Sequence, residues 1–269
     1  MSNNKHENYQ GYIYPDGDDV FTMALIEASE PYPGYWQASE DDVLDRGIKM
    51  ISKKGLKGSL LDVGCGFGRL LLKFSQYFDL LYGVEPDRER FEVCKKNISE
   101  WGMEEKVRLY NGTVDLLEDK LRFDVILCSH VIQHIPEQIS RLLLKDLKKL
   151  LKDNGLLIVS TSHSDTDEDI YLKNYIDVEG KRAEEKILQA EFNTFENKNG
   201  VLPTKKFTGD NLLKLLENSG FKVIDSRVYH DTRGSRYIHK LFGTDRLINT
   251  LGSLKKTRGR DICVIAGKN

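Results

Sequence analysis

Residues 60–68 read Leu60-Leu61-Asp62-Val63-Gly64-Cys65-Gly66-Phe67-Gly68, an apolar run ending in three glycines at alternate positions. The chain then becomes Arg69-Leu70-Leu71-Leu72-Lys73-Phe74, a helical pattern. This is a strand, a tight loop and a helix. Glycine lets the backbone of such a loop take positive φ, and lets a ligand lie against it with no Cβ in the way. A second apolar run, Leu80-Leu81-Tyr82-Gly83-Val84, is closed by Glu85. That is the expected tip of the neighbouring strand, where a carboxylate can accept two ribose hydroxyls.

From there strand and helix signals alternate: strand 60–64, helix 68–78, strand 80–85, helix 87–101, strand 107–111, strand 123–128, helix 137–152 and strand 156–161. Buried strands alternating with helices predict an α/β fold with a doubly wound, mostly parallel sheet covered on both faces. Ligands of such sheets bind beyond the carboxyl ends of the strands. Upstream, the stretch Tyr12 to Trp36 is rich in aromatics, and a helix starting at Ser39, with Glu40, Asp41 and Asp42 in its first turn, runs to Gly55. Residues 162–206 break the rhythm with an acidic run (Asp165, Asp167, Glu168, Asp169), the pair Tyr171 and Tyr175 and a short helical pattern from Arg182 to Phe192. This segment reads as an inserted lid over the substrate side. Thr208 then caps a helix that stops at Ser219-Gly220, and the last two strands are 221–229 and 261–266. The whole chain, 1–269, reads as one domain with a cap region (1–55), the lid (162–206) and an excursion between the last two strands (230–259).

The glycine loop alone also suits a dinucleotide-binding dehydrogenase, but that fingerprint wants Gly or Ala three residues after its second glycine. Arg69 stands there. The set Leu-Asp-Val-Gly-Cys-Gly-Phe-Gly followed by Gly83-Val84-Glu85-Pro86-Asp87 resembles the class I S-adenosylmethionine-dependent methyltransferases. The resemblance covers about Leu60 to Ser162 and resumes near Phe207, and it implies a seven-stranded sheet with a reversed last strand. It implies that Asp62, Gly64, Cys65 and Gly66 hold the methionine end of S-adenosylmethionine and that Glu85, followed by Pro86, holds the ribose. Thr113 and Val114 would cup the adenine, although family members often carry Asp where this chain has Thr113. The loop from Ser129 through His130 to His134 would border the transferred methyl, with S-adenosylhomocysteine as product.

Several residues have two readings. His130 and His134 suit a general base or a substrate ligand, since a neutral imidazole takes a proton from a hydroxyl or ammonium near pH 7; alternatively His134 starts the next helix and bonds only to backbone. Tyr35 and Trp36 suit closure over the sulfonium, by an attraction of about 0.5 to 2 kcal/mol, or a staple for the first helix. Arg46 suits the cofactor carboxylate or an exposed helix face. Tyr32, Tyr35, Tyr171 and Tyr175 are the candidate acceptor contacts. The acidic run suits a solvated loop or a rim for a cationic acceptor, and Lys255 to Arg260 a solvated turn or a phosphate contact.

With 40 basic against 42 acidic residues the formal net charge is −2, so no global field favours nucleic acid or an anionic membrane. A chain of 269 residues buries about three quarters of its unfolded surface, enough for one core. The four cysteines, Cys65, Cys94, Cys128 and Cys263, lack paired spacing and fit free thiols in a reducing cytoplasm. No metal-ligand spacing, signal segment or run of about 18 apolar residues occurs. Neither the Asn/Asp-Pro-Pro-Tyr tetrapeptide nor the Pro-Cys dipeptide of DNA-base methylation is present. The leading expectation is a methyltransferase, monomeric or dimeric, for a small molecule or modified peptide, with natural-product biosynthesis as a setting. A tRNA or protein acceptor, and a cofactor-binding module without turnover, are the competing readings.

Overall fold

The computed structural model of the protein describes residues 35–194, 201–230 and 259–269. Helix α1 (Tyr35–Lys54) leads into β1 (Ser59–Val63), α2 (Arg69–Phe74), β2 (Leu80–Glu85), α3 (Arg88–Glu100), β3 (Val107–Asn111), β4 (Phe123–Ser129), α4 (Glu137–Leu150) and β5 (Leu151–Ser162). The chain continues with β6 (Ile170–Ile176), β7 (Arg182–Lys186), α5 (Gln189–Asn193), β8 (Val201–Lys206), α6 (Gly209–Asn218), β9 (Phe221–Tyr229) and β10 (Asp261–Lys268). Seven strands form one sheet in the order β3-β2-β1-β4-β5-β10-β9. The first five run parallel, and β10 is antiparallel to both of its neighbours. The expected Rossmann-like methyltransferase sheet with a reversed last strand is therefore present.

Each central strand is apolar on both faces because each face is covered. Leu61, Val63, Ile126, Cys128, Leu157 and Val159 point to the core shared with Leu144 and Leu147 of α4 and Leu212 and Leu216 of α6. Their neighbours Leu60, Val125, Leu127, Leu156 and Ile158 join Val43 and Ile51 of α1, Leu71 and Phe74 of α2 and Ile98 of α3. The period of two along a strand thus builds two cores. Parallel register sets Asp62 beside Gly83 and Leu127, and Ser129 beside Ser160, so the strands deliver their carboxyl ends to one edge. Among the described residues no helix is long and apolar enough to cross a membrane.

The insertion is a separate antiparallel sheet in the order β7-β6-β8. The single helix expected from Arg182 to Phe192 is instead strand β7 followed by the short α5. Pairing of residues 182–186 with Leu172 to Ile176 satisfies their backbone from outside the segment and overrides the helical preference of Ala, Glu and Lys. The first helix begins at Tyr35 rather than Ser39, so Ser39 is not its cap. Its hydroxyl accepts from His230 N at 3.2 Å. Strand β5 starts earlier than expected because Leu151 pairs with Phe123.

The Thr208 cap is present: its hydroxyl accepts from Asn211 N at 3.2 Å, and Gly220 takes φ 84 where α6 ends. Thr208→Ala is expected to lower stability by about 1 kcal/mol without altering the fold. The check is the midpoint of urea unfolding at an unchanged slope.

Candidate active site

A cavity of about 390 Å³ opens at the carboxyl edge of β1, β2 and β4. Its lining includes Asp62, Gly64, Cys65, Gly66, Glu85, Pro86, Thr113, Val114, Ser129, His130 and His134. The glycine loop forms one wall, with φ of 68 at Gly64, 53 at Gly66 and 86 at Gly68. A Cβ on Gly64 would meet Val131 at 2.6 Å and one on Gly68 would meet Cys94 at 2.9 Å, so these two glycines permit close packing. A Cβ on Gly66 would meet nothing within 4 Å. It would project into open space, which makes Gly66 the position where a side chain competes with a ligand. The amides of Gly64 and Cys65 both donate to Val84 O, at 2.8 and 3.1 Å, and close the turn. A hydrogen bond with Cys94 and burial push the Cys65 thiol well above the usual range, so it is no nucleophile.

Two buried carboxylates face this loop. Asp62 is 1% exposed, and its Oδ2 has no hydrogen-bond partner among the described residues. Burial is the main reason that its pKa is raised to about 8; Arg69 opposes the shift, and Glu85 and Glu40 add to it. A buried carboxylate oxygen without a donor costs free energy that a cationic ligand group would return. Glu85 accepts from Gly66 N at 2.8 Å and from Asp87 N at 3.0 Å, one bond to each oxygen. Each oxygen keeps further acceptor capacity for a hydroxyl. Burial raises the Glu85 pKa against these two backbone bonds and Arg90.

At the far end Thr113 precedes the turn of Val114 and donates its hydroxyl to Asp115. The carboxylate missing at Thr113 is thus two residues on and bonded to it. Arg90 and Phe67 also line the cavity, with the guanidinium 5.8 Å from the ring centroid. Arg69 lines it too, and forms a bidentate ion pair with Glu40 that ties α1 to the start of α2.

The two histidines differ in chemistry. His134 is half-buried at the cavity wall, with both ring nitrogens engaged by protein groups: Gln133 Nε2 lies 2.9 Å from its Nε2, and its Nδ1 lies 2.8 Å from Pro203 O on β8. Burial lowers its pKa to about 3. Through these two contacts His134 fastens the loop after β4 to the inserted sheet. His130 takes φ 56, one of two non-glycine residues with positive φ among those described, and borders the cavity. Backbone strain in such a residue persists when its surroundings hold it, and here its N–H donates to Ser160 O at 2.8 Å.

Other expected site residues lie elsewhere. Arg46 donates to Asp225 Oδ2 on β9 at 3.0 Å and does not line the cavity. Tyr171 donates to Glu137 Oε1 at 2.8 Å, and Lys205 pairs with both Glu137 (2.5 Å) and Asp169 (2.9 Å). This cluster anchors the inserted sheet to α4, and Tyr175 on the same face of β6 is likewise off the cavity. Alternation explains it: Leu172 and Asn174 are the buried positions of β6. The acidic run is used the same way, with Asp169 accepting from Thr208 N and Asp165 from Gly259 N. The insertion does reach the cavity, through Leu202 and Pro203 of β8. Lys205 and Lys206 form no basic face, since both are paired with carboxylates. Tyr32 and residues 255–258 lie outside the described residues; Tyr35 and Trp36 are described only as the start of α1.

The family described as "Methyltransferase domain" matches residues 35–226, and the chain belongs to it, as a class I S-adenosylmethionine-dependent methyltransferase. It is similar to the ubiquinone biosynthesis O-methyltransferase of Pelagibacter ubique (strain HTCC1062), 26% identical over 190 residues, which are 68% of this chain and 77% of that relative. Further curated relatives are matched over less than half of their length, 47% in the protein of the same description from Haemophilus ducreyi. Among solved structures it resembles a S-adenosylmethionine-dependent methyltransferase from Clostridium acetobutylicum ATCC 824, with TM-score 0.58, 16% identity and coverage of 93% of this chain and 99% of that one. It also resembles the 1,6-didemethyltoxoflavin-N1-methyltransferase of Burkholderia thailandensis, with TM-score 0.54, 18% identity and coverage of 93% and 88%. At these identities the structural likeness is one of fold.

The neutral His134 has a consequence for acid stability. Its pKa falls from about 6.5 in the unfolded chain to about 3 in the fold, so the unfolded state binds the extra proton. Stability from this group is complete above about pH 6.5 and is lost as pH falls toward 3. Urea unfolding is expected to show wild type losing more stability than His134→Gln between neutral pH and pH 4.5. Equal losses would contradict the neutral imidazole.

Proposed function

We propose that the protein moves a methyl group from S-adenosylmethionine to an oxygen or nitrogen nucleophile of a small molecule or modified peptide, in cytoplasmic natural-product biosynthesis. The observation that carries this reading is the pair Asp62 and Glu85, buried at adjacent strand ends around a loop whose Gly66 leaves the space between them open. The residues fit the cofactor: the orphaned Asp62 Oδ2 suits its ammonium, Glu85 its ribose hydroxyls, and Thr113, Val114 and Pro86 its adenine side. The cofactor supplies a methyl group already made electrophilic by the sulfonium.

The chain then has to hold a nucleophile in line behind that methyl, keep water out and accept a proton. Alignment of this kind supplies about 7–11 kcal/mol. With the cofactor bound, its sulfonium would supply the methyl group to the acceptor lone pair and keep the carbon–sulfur electron pair, and His130 would take up the O–H or N–H proton that the acceptor gives up. Val131, Ile135, Leu202 and Pro203 provide apolar walls that exclude water. A relative described as an O-methyltransferase and a fold neighbour described as an N1-methyltransferase support a small acceptor without fixing its atom. Four buried free cysteines suit a reducing compartment.

Two outcomes test this reading. Because Asp62 titrates at about 8, it holds a proton at neutral pH and gives it up on meeting the ligand ammonium. Calorimetry with S-adenosylhomocysteine is expected to show net proton release near pH 7, read as a dependence of the heat on buffer ionisation enthalpy, and Asp62→Asn removes that dependence. Glu85→Ala is expected to weaken binding by about 1.5–3 kcal/mol, and Gly66→Val to abolish it, at some cost in stability because φ 53 strains a β-branched residue. Unchanged affinity in both variants would sink the assignment.

A further inference from the structure

Resting on the methyl-transfer reading, we infer that Gln133 is a positioning residue that fixes the tautomers of the two imidazoles beside it, making Nε2 of His130 the basic nitrogen at the cavity and withdrawing His134 from the chemistry. The argument starts from a group whose role is fixed. The backbone N–H of Ser162 donates at 2.6 Å to one amide atom of Gln133, and Thr161 Oγ1 lies 3.2 Å from the same atom. A backbone N–H only donates, so that atom is the oxygen. A flipped amide would set donor against donor in a buried site.

The other amide atom is then the NH₂ group, and it donates to His134 Nε2 at 2.9 Å. An accepting Nε2 carries no proton, so the proton sits on Nδ1, which donates to Pro203 O at 2.8 Å. That carbonyl only accepts, so the far end of the chain gives the same tautomer independently. On the other side, His130 Nδ1 lies 3.2 Å from the Gln133 oxygen. It donates, and the neutral ring keeps its basicity at Nε2.

Asp261 completes the arrangement. It opens β10, its Oδ1 is 4.0 Å from His130 Nδ1, and its Oδ2 is 2.5 Å from His230 Nδ1. Among the described residues, the titratable groups near His130 include His134 from its own loop, Asp261 from β10 and Arg90, which lines the same cavity, with His230 and Arg260 beyond Asp261. The carboxylate stays ionised, because the His230 bond and nearby His130 outweigh its burial and hold it at about 2. A carboxylate behind the Nδ1 edge orients an imidazole and stabilises the cation formed when Nε2 takes a proton.

The test reads tautomers directly. Protein labelled with ¹⁵N-histidine gives long-range ¹H–¹⁵N spectra that distinguish Nδ1–H from Nε2–H rings at about pH 8, above the ordinary histidine range. Wild type is expected to show Nδ1–H at both His130 and His134. In Gln133→Glu a carboxylate still accepts from His130 but can no longer donate to His134, so His130 keeps its pattern while His134, still held at Nδ1–H by Pro203 O, gains a proton on Nε2 and shows the pattern of an imidazolium. Gln133→Leu is expected to lose the His130 pattern, with His134 kept as Nδ1–H by Pro203 O, while binding S-adenosylhomocysteine within about twofold of wild type. An Nε2–H ring at His130 in wild type overturns the inference even if Gln133→Leu fails to fold, and so does a Gln133→Glu protein in which both patterns persist. Failure of wild type to bind S-adenosylhomocysteine overturns the methyl-transfer reading instead, and with it the role given to His130.

Discussion

Parallel pairing of β1 with β2 on one side and β4 on the other is the constraint from which the site follows. It places Asp62, Glu85 and Ser129 at one edge, with the chain leaving each strand in a loop over the same space. The sheet is apolar on both faces, so polar groups at that edge are there at a cost in desolvation. Glu85 offsets its cost through the amides of Gly66 and Asp87, whereas one oxygen of Asp62 has no partner among the described residues. Burial raises both carboxylates toward neutrality, and a ligand with an ammonium at one end and hydroxyls further along relieves both.

The opposite wall is made by two pieces of chain that need each other. The loop after β4 and strand β8 of the insertion are joined by His134 and Pro203, and two residues further along β8 Lys205 is held between Glu137 and Asp169. With β8 fixed at both points, Leu202 and Pro203 line the cavity. The same loop carries His130 on strained backbone, so one short turn supplies both a structural fastener and the proposed base. What separates the two roles is the direction of a single amide, set by Ser162.

Much of this was legible in the chain itself. Glycines at alternate positions after an apolar run locate the loop, and an acid closing the next apolar run locates Glu85, because both signals are local and arise from backbone conformation and strand length. The Thr208 cap was legible for the same reason, and the reversed last strand through the resemblance to the methyltransferase family. Features set by distant partners were not. Arg182 to Lys186 carry helical preference, yet pair as a strand with residues earlier in the chain. Arg46 and Tyr171 are plausible ligand contacts by type, but Asp225 and Glu137 claim them across the fold. Gln133 and Asp261 carry no motif, and their roles exist only once β4, β5, β9 and β10 lie side by side.

The account stands most directly on where the cofactor lies. A crystal structure of the protein with S-adenosylhomocysteine decides it. The expected result is a ligand amino group within hydrogen-bond distance of Asp62 Oδ2, ribose hydroxyls on Glu85 and the thioether sulfur turned toward the His130 loop. A ligand bound elsewhere, or one that leaves Asp62 Oδ2 without a donor, would contradict it.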